Sequence, residues 1–214
     1  MQKIWKLKEP DIELKNTLAA QMGLSSLFTQ LLLNRMGKVG EGWQQAIEKK
    51  EKIFIATDFD GDGVTSCAIL ETELKNLGVS VQHYIPHRVR DGYGLNIEAV
   101  ELAQRSRAKI FIALDCGITS VHEVDILQRA GIDCIIIDHH EPPKENLPLA
   151  FAILNPKQRT CSYPFKDLAS VGLAYKVIQA LQAKDAHEYL DLVALGTVAD
   201  VAPLRGENRI FVKH

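Results

Sequence analysis

From residue 51 onwards, short β-branched runs of apolar residues alternate with longer segments whose apolar residues have helical spacing. Strands are predicted at 52–56, 79–86, 109–114, 134–137 and 151–154, and helices at 65–77, 97–107, 120–130, 171–183 and 187–195. Unbroken apolar runs of this length are typical of buried strands in a parallel sheet, with the intervening helices as crossovers. The pattern therefore predicts an α/β fold with a mainly parallel sheet flanked by helices.

Residues 1–50 follow a different pattern. Apolar residues recur at helical spacing between Leu18 and Leu33, Gly37, Gly40 and Gly42 then end this pattern, and a second short helix is predicted at 43–52. We therefore divide the chain into an N-terminal helical segment, 1–50, and an α/β domain, 51–214. The charged start of the chain lacks a signal-peptide pattern, and no apolar run approaches the ~18–20 residues that cross a bilayer. We expect a cytoplasmic protein that does not associate with membranes.

Charge and cysteine content narrow the picture only slightly. The net charge of −2 gives no global basic field, so any contact with a nucleic acid depends on local groups or on bound metal. The four cysteines are widely spaced without a Cys-x-x-Cys pair. Cys67 and Cys134 lie in apolar stretches, which favours reduced, buried thiols.

Acidic residues follow several predicted strands or turns. Asp58, Asp60 and Asp62 come after the first strand, Asp115 ends the third, and Asp138-His139-His140 ends the run Cys134–Ile137, while Asp200 follows a Gly-Thr sequence that we interpret as a turn. Ligands of open α/β sheets bind beyond the carboxyl ends of the strands. Side chains alternate along an extended chain, so His139 and His140 are expected to point in different directions.

The run Asp58-Phe-Asp-Gly-Asp-Gly63 has competing interpretations. We expect its glycines to let the backbone turn tightly and bring the carboxylates together; a solvated turn is the simplest alternative. A calcium loop of the EF-hand type requires glutamate at its twelfth position, which here is Ile69, so that interpretation fails. A haloacid-dehalogenase phosphatase would use Asp60 as nucleophile and Asp62 as acid/base. That family's downstream acidic motif is missing, and it leaves the histidines without a role.

Together, the acids and one imidazole favour a divalent metal centre. Hard oxygen ligands with one nitrogen suit Mn²⁺ or Mg²⁺; the candidate ligands are Asp60, Asp62, Asp115, His139 and Asp200. The natural chemistry of such a set is two-metal hydrolysis of a phosphate ester. His140 and a nearby arginine would then stabilise the charge that develops on the phosphoryl oxygens.

These motifs, in this order, resemble the DHH phosphoesterase superfamily and, within it, the RecJ-type exonucleases. The four main matches are Asp58–Gly63, Leu114–Ser120, Asp138–His140 and Gly196–Asp200. Smaller matches at 84–88, 92–96, 154–156 and 206–209 favour the RecJ branch over the pyrophosphatase and short-oligonucleotide branches. The resemblance extends from about Ile53 to the end of the chain.

The resemblance also implies roles for individual residues. One metal would be held by Asp62, Asp115, His139 and Asp200, and a second by Asp60 and Asp115 with support from Asp58. His140 would contact the scissile phosphate, and Asp138 would orient the histidines from outside the ligand set. Arg88 would contact a phosphate, or is simply a solvated surface arginine. Many relatives have a histidine ligand four residues before Asp60, where this chain has Ala56.

By resemblance, the expected function is 5′-to-3′ exonuclease action on single-stranded DNA, in repair and recombination. A single-strand-binding protein or a helicase is an expected partner. RecJ-type enzymes continue into a second α/β domain and a nucleic-acid-binding barrel, so we expect the chain to be truncated before both. Three alternatives remain: a phosphodiesterase for short oligonucleotides or cyclic dinucleotides, an inactive replication scaffold, and the dehalogenase-like phosphatase.

Overall fold

A parallel sheet organises the chain in this computed structural model, which describes residues 51–182 and 186–214. Within those ranges the sheet has the strand order β2-β1-β3-β4-β5, with every neighbouring pair parallel. The strands are β1 (Lys52–Thr57), β2 (Ser80–Tyr84), β3 (Ile110–Leu114), β4 (Asp133–Ile137) and β5 (Ala152–Leu154). The predicted fold class is confirmed. The helical segment predicted at 1–50 lies outside the described residues.

The helices are α1 (Gly61–Asn76), α2 (Ile97–Ser106), α3 (Val121–Arg129), α4 (Ser170–Gln182), α5 (Leu190–Ala199) and α6 (Gly206–Lys213). A 3₁₀ turn at His187–Tyr189 precedes α5, so the helix predicted at 187–195 consists of two elements. Helix α1 begins four residues before its predicted start. None of the described helices is both long and apolar enough to span a bilayer.

Successive side chains of β1 enter two different cores. Ile53 and Ile55 pack with α1, α4 and α5 on one face of the sheet. Phe54 and Ala56 pack with α2 and α3 on the other face, and the Phe54 ring stacks on Phe111 of β3 at 5.7 Å between centroids. Helices thus cover both faces, which explains why the strands read as continuous apolar runs. All four cysteines are free, and Cys67, Cys116 and Cys134 are buried.

The strand order places a crevice at the carboxyl ends of β1 and β3. The chain passes from β1 to β2 on one side and then returns to β3 on the other side, and ligands of open α/β sheets bind where the order reverses in this way. Thr57, Leu114 and Ile137 are aligned in register across β1, β3 and β4. The residues that follow them are Asp58, Asp115 and Asp138, so three acids leave the sheet at one level.

The prediction of a tight turn at the glycines after β1 is wrong. These glycines instead allow close packing between neighbouring elements. Gly61 and Gly63 lie in the first turn of α1, and Asp60 is its N-cap, accepting a hydrogen bond from the Gly63 amide at 2.9 Å. A Cβ on Gly63 would lie 2.6 Å from the Asp58 carbonyl oxygen, and one on Gly61 would lie 2.6 Å from Ala199 Cβ. The absence of side chains lets the start of α1 approach β1 and the end of α5.

Candidate metal centre

Asp62 is held by the amino terminus of helix α4. Its Oδ2 accepts a hydrogen bond from the Ser170 amide and its Oδ1 one from the Val171 amide, both at 2.7 Å. The first amides of a helix lack partners within the helix and favour negative charge. The side chain has no exposed surface. Asp62 is therefore a fixed, buried carboxylate that links α1 to α4.

Asp115 lies beside Asp62 and receives a hydrogen bond from the Ser170 hydroxyl, which donates to its Oδ1 at 2.9 Å. The backbone of Asp115 is left-handed, with φ of 57°, a conformation that aspartate tolerates better than most residues. Its amide donates to the Ile137 carbonyl at 2.9 Å. The chain thus turns sharply after β3 while the carboxylate stays inside the crevice. Because Ser170 also contacts Asp62 through its amide, it positions two of the acids.

His139 faces three carboxylates through one ring nitrogen. Its Nε2 lies 3.3 Å from Asp115 Oδ1, 3.6 Å from Asp200 Oδ1 and 3.9 Å from Asp62 Oδ2. This nitrogen is buried and has no well-formed hydrogen bond within the described part of the chain. A buried polar atom without a partner is costly. A cation placed among the four groups would satisfy the nitrogen and neutralise the acids, so the residues fit a divalent metal.

A second group of acids adjoins the first and shares Asp115 with it. Ligand atoms of Asp58, Asp60 and Asp115 lie within 4.8 Å of one another, as do those of Asp62, His139 and Asp200. Asp58 is 6% exposed, and its Oδ1 accepts a hydrogen bond from the Phe59 amide at 2.7 Å. The structure therefore brings together all six candidate ligands in two adjacent groups. Their assignment to individual metals stays a prediction.

Without a cation, this arrangement of acids opposes ionisation. Burial, followed by the Asp115 charge, raises the pKa of Asp62 to about 8. Burial likewise raises the pKa of Asp115 to about 6, and it raises those of Asp58 and Asp200. Burial opposes protonation of His139, but the Asp115 carboxylate and the charges of Asp200 and Asp62 raise its pKa overall. Such shifts are typical of sites built to hold opposite charge.

Asp138 holds His140 in place and raises its pKa. Its Oδ1 lies 2.7 Å from His140 Nδ1 and accepts from the His140 amide at 3.0 Å, while Oδ2 accepts from the Ile118 amide at 3.0 Å. These contacts outweigh burial and lower the pKa of Asp138. Hydrogen bonding to Asp138 raises the pKa of His140 to about 9. His140 is 56% exposed and His139 13% exposed, so one faces solvent and the other the acids.

Asp200 reaches the site from the carboxyl end of helix α5. The predicted Gly-Thr turn is wrong, because Gly196 and Thr197 lie inside the helix and Asp200 is its C-cap. A Cβ on Gly196 would lie 2.2 Å from Thr65 Oγ1 and 2.9 Å from Val171 Cγ1. Thr65 is in α1 and Val171 in α4. Gly196 thus lets α5 pack directly against the two helices that carry and hold Asp62.

Gly196→Ala should destabilise the fold and separate Asp200 from His139. The methyl group would overlap buried atoms, which typically costs ~1–3 kcal/mol in a packed core. Gly172→Ala in α4 is the matched control, since its nearest contact would be Leu168 Cδ2 at 3.1 Å, the end of a flexible side chain. Urea unfolding measures both variants. Equal stability of the two variants would contradict a packing role for Gly196.

Arg88 lies outside the acidic groups but beside them. Its guanidinium carbon is 5.6 Å from the centre of the Phe59 ring, and Phe59 separates Asp58 from Asp60 in the sequence. The Tyr93 ring packs against Phe59 at 4.7 Å between centroids and is 72% exposed. The three side chains form an exposed aromatic and cationic surface, which we call the Phe59 platform. A contact of Arg88 with phosphate stays a prediction.

Sequence reasoning missed Ser170 and the Phe59 platform. Ser170 follows an Asp-Leu-Ala sequence without a recognisable motif, and only the fold brings it to Asp62 and Asp115. An aromatic residue between two acids was a usable signal for Phe59. Ala56 is 2% exposed and packs in the core with α2 and α3, so it supplies no metal ligand.

Comparison with known proteins identifies the family of the chain. The single-stranded-DNA-specific exonuclease RecJ of Bacillus subtilis (strain 168) is 37% identical over 97% of this chain and 30% of its own length. The RecJ of Escherichia coli (strain K12) is 39% identical over 84% of the chain and 34% of its own length. The chain thus spans about a third of the length of these curated relatives.

A crystal structure of exonuclease RecJ bound to manganese has a TM-score of 0.72 and 30% identity, covering 98% of this chain and 48% of that one. The model of the DHH family, N-terminal domain, matches residues 52–197. The resemblance stated from the motifs is confirmed: this chain belongs to the DHH family, with RecJ exonucleases among its relatives.

Proposed function

We propose that this chain is the catalytic domain of a 5′-to-3′ exonuclease that hydrolyses single-stranded DNA with Mn²⁺ or Mg²⁺. The observation that carries the proposal is the buried His139 Nε2 facing three carboxylates, next to a second acidic group that shares Asp115. RecJ relatives named for single-stranded DNA, and a RecJ structure named for bound manganese, support the substrate and the metal.

In this proposal, Asp62, Asp115, His139 and Asp200 hold one metal, and Asp58, Asp60 and Asp115 hold the other. When bound, two such cations lower the pKa of a water molecule and neutralise charge on the attacked phosphate. The chain's contribution is rigid placement: the α4 amides fix Asp62, the Ser170 hydroxyl fixes Asp115, and Asp60 is fixed by capping α1. Because these contacts come from the chain's own amides and hydroxyl, they hold the carboxylates in place for the metal ions.

His140 is placed to bind the phosphate. With a pKa raised to about 9 by Asp138, its imidazole carries positive charge at neutral pH. Its Nδ1 is engaged by Asp138, which leaves Nε2 as the donor directed at a substrate oxygen. A charged donor stabilises phosphoryl oxygens as they gain charge during attack. Asp138 acts on substrate only through His140.

The Phe59 platform supplies local features that suit a nucleic acid despite the net charge of −2. Exposed aromatic rings stack on bases without sequence preference, and a nearby arginine adds attraction for the backbone. Tyr93 offers the more exposed ring, while Arg88 lies over Phe59. A base stacked on this surface would place its phosphate near Asp58 and Asp60.

Tyr93→Ala should weaken binding of single-stranded DNA more than it slows cleavage. Loss of one base–aromatic stack costs ~1–3 kcal/mol, so we expect KM to rise by roughly 5- to 150-fold with a smaller change in kcat. Phe151→Ala is the matched control. It removes another exposed ring, which lies just before β5 and thus at the opposite end of the sheet from the acids. Steady-state kinetics on a 5′-labelled oligonucleotide separate the two constants. An unchanged KM for the Tyr93 variant would contradict the stacking role.

The activity itself is tested by comparing substrates in the presence of Mn²⁺. We expect stepwise release of mononucleotides from 5′-labelled single-stranded DNA, and slower hydrolysis of a dinucleotide, duplex DNA and p-nitrophenyl phosphate. Preference for the dinucleotide would instead support the short-oligonucleotide alternative. Preference for p-nitrophenyl phosphate with a trapped aspartyl-phosphate would support the dehalogenase alternative.

We extend the proposal to the setting of the enzyme. We propose that the chain is divided into residues 1–50 and 51–214 and that the protein continues into further domains. We also propose a single-strand-binding protein or a helicase as its partner. The same proposal includes a cytoplasmic location, which the four free thiols favour. Retention of the five principal acidic and histidine ligand residues, Asp60, Asp62, Asp115, His139 and Asp200, favours an active enzyme over an inactive scaffold.

A further inference from the structure

A further group of side chains that could hold a metal ion lies at the edge of the sheet, away from the two groups that contain Asp115 and His139. Cys67 and Glu71 are four residues apart on α1, and His83 lies on the edge strand β2. Residues four apart share one face of a helix. The Cys67 sulfur, a Glu71 carboxylate oxygen and a His83 ring nitrogen all lie within 4.8 Å of one another. None of these residues takes part in the proposed exonuclease site.

The donor atoms are those that zinc prefers. Zinc binds thiolate at about 2.3 Å and imidazole or carboxylate at about 2.0–2.2 Å, in a tetrahedral arrangement. His83 Nδ1 already lies 2.8 Å from Glu71 Oε2, so a small outward movement of either group would admit an ion between them. The Cys67 residue is 3% exposed, whereas the Glu71 and His83 side chains are 13% and 46% exposed. The sulfur of the group is therefore buried, whereas its imidazole is accessible to solvent.

We propose that Cys67, Glu71 and His83 form a zinc site at the β2 edge, with water or a small ligand in the fourth position. An open groove of about 570 Å³ leads to it, lined by Glu71 and His83 together with Phe54, Leu102 and Arg105. This groove provides both the entry path and space for a fourth ligand. Three protein ligands with one open position are typical of zinc sites that exchange ligands.

Charge and proton balance are consistent with zinc. Burial raises the pKa of the Cys67 thiol to about 12, so binding displaces one proton from sulfur to solvent. Burial opposes ionisation of Glu71, but hydrogen bonds from Lys75 and His83 lower its pKa overall. Zn²⁺ with one thiolate and one carboxylate is neutral. Lys75, which pairs with Glu71 at 2.8 Å and is 57% exposed, can turn into solvent when zinc replaces it.

Such an ion would tie the edge strand β2 to helix α1. The same helix carries Asp62 in its first turn. Zinc binding would stabilise the folded chain by mass action. It would leave the ligands of the proposed exonuclease site unchanged.

Cobalt(II) titration of the full 214-residue chain tests the site. A bound Co²⁺ with a sulfur ligand gives a thiolate-to-metal charge-transfer band in the near ultraviolet, which an oxygen and nitrogen site cannot produce. We expect the band to appear as Co²⁺ is added, to disappear on addition of Zn²⁺, and to be lost in Cys67→Ser. Cys134→Ser, which alters a buried cysteine of β4 in the opposite core, should keep the band.

His83→Ala provides an independent variant, because this half-exposed side chain can be removed without disturbing the core. We expect it to weaken cobalt binding by more than roughly 10-fold, while cleavage of DNA with Mn²⁺ stays unchanged. Absence of the band in the wild-type chain, or its persistence in Cys67→Ser, would overturn the proposal. Either result would leave Glu71, Lys75 and His83 as an ion-pair cluster only.

Discussion

His139→Ala should reduce cleavage of single-stranded DNA by on the order of 10³-fold or more, because the loss of a metal ligand exceeds the roughly 10- to 100-fold cost of changing an outer partner. Its Nε2 is the one nitrogen in the group that contains Asp62 and Asp200. Because that nitrogen is buried without a well-formed hydrogen bond, its removal should change the metal-free stability by only about 1 kcal/mol. Activity and urea unfolding of the same preparation measure the two effects.

His122→Ala is the matched control, since it removes an exposed histidine from α3. Asp62→Ala should also abolish cleavage. It is a less selective variant, because it leaves the buried Ser170 and Val171 amides without their acceptor and so lowers stability as well. Cleavage by His139→Ala within about tenfold of the wild-type rate would overturn its assignment as a ligand.

The metal-free chain should become less stable as the pH rises from about 5 to 9, and Mn²⁺ should restore the loss. Asp62 and Asp115 have folded pKa values of about 8 and 6, above the ordinary value of 3.8. The folded state therefore binds more protons than the unfolded state over this range, and stability falls with pH. His140, raised to about 9, contributes stability below its ordinary pKa that is lost towards pH 9. The two carboxyl groups and His140 therefore all make the metal-free stability fall as the pH rises.

The expected loss is at least ~2 kcal/mol, since one pKa unit corresponds to about 1.4 kcal/mol, or roughly 4–8 °C in Tm for a chain of this size. Asp115→Asn should make the metal-free chain more stable than the wild type at pH 8 and reduce its stabilisation by Mn²⁺. Asp125→Asn, on the surface of α3, should do neither. Calorimetry with and without chelator measures all three. Metal-free stability that increases from pH 5 to 9 would contradict the electrostatic description of the site.

The location of the site could be predicted from the sequence because it depends on strand ends. Buried parallel strands are recognisable as apolar runs, and the acids that follow them must meet at one edge of the sheet. In the structure, the register of Thr57, Leu114 and Ile137 brings Asp58, Asp115 and Asp138 to one level. The apolar runs alone therefore predicted where these acids would meet.

Other features depend on contacts between elements far apart in the chain, and local pattern does not contain them. Ser170 follows Asp62 by 108 residues and reaches it only because α4 packs on α1. Gly61 and Gly196 resemble turn residues, yet each lies in a helix where a Cβ would strike a neighbouring element. Asp138 was expected to orient both histidines; the structure shows its carboxylate bonded to His140.

In the proposed site, two metal ions share Asp115. Asp62, His139 and Asp200 hold one of them, and Asp58 and Asp60 hold the other. Anomalous diffraction from crystals of the chain grown with Mn²⁺ tests it directly. We expect two peaks about 3.5–4 Å apart, one in contact with Asp62, His139 and Asp200, the other with Asp58 and Asp60, and both with Asp115. A single peak, or peaks that do not contact Asp115 and His139, would contradict the claim.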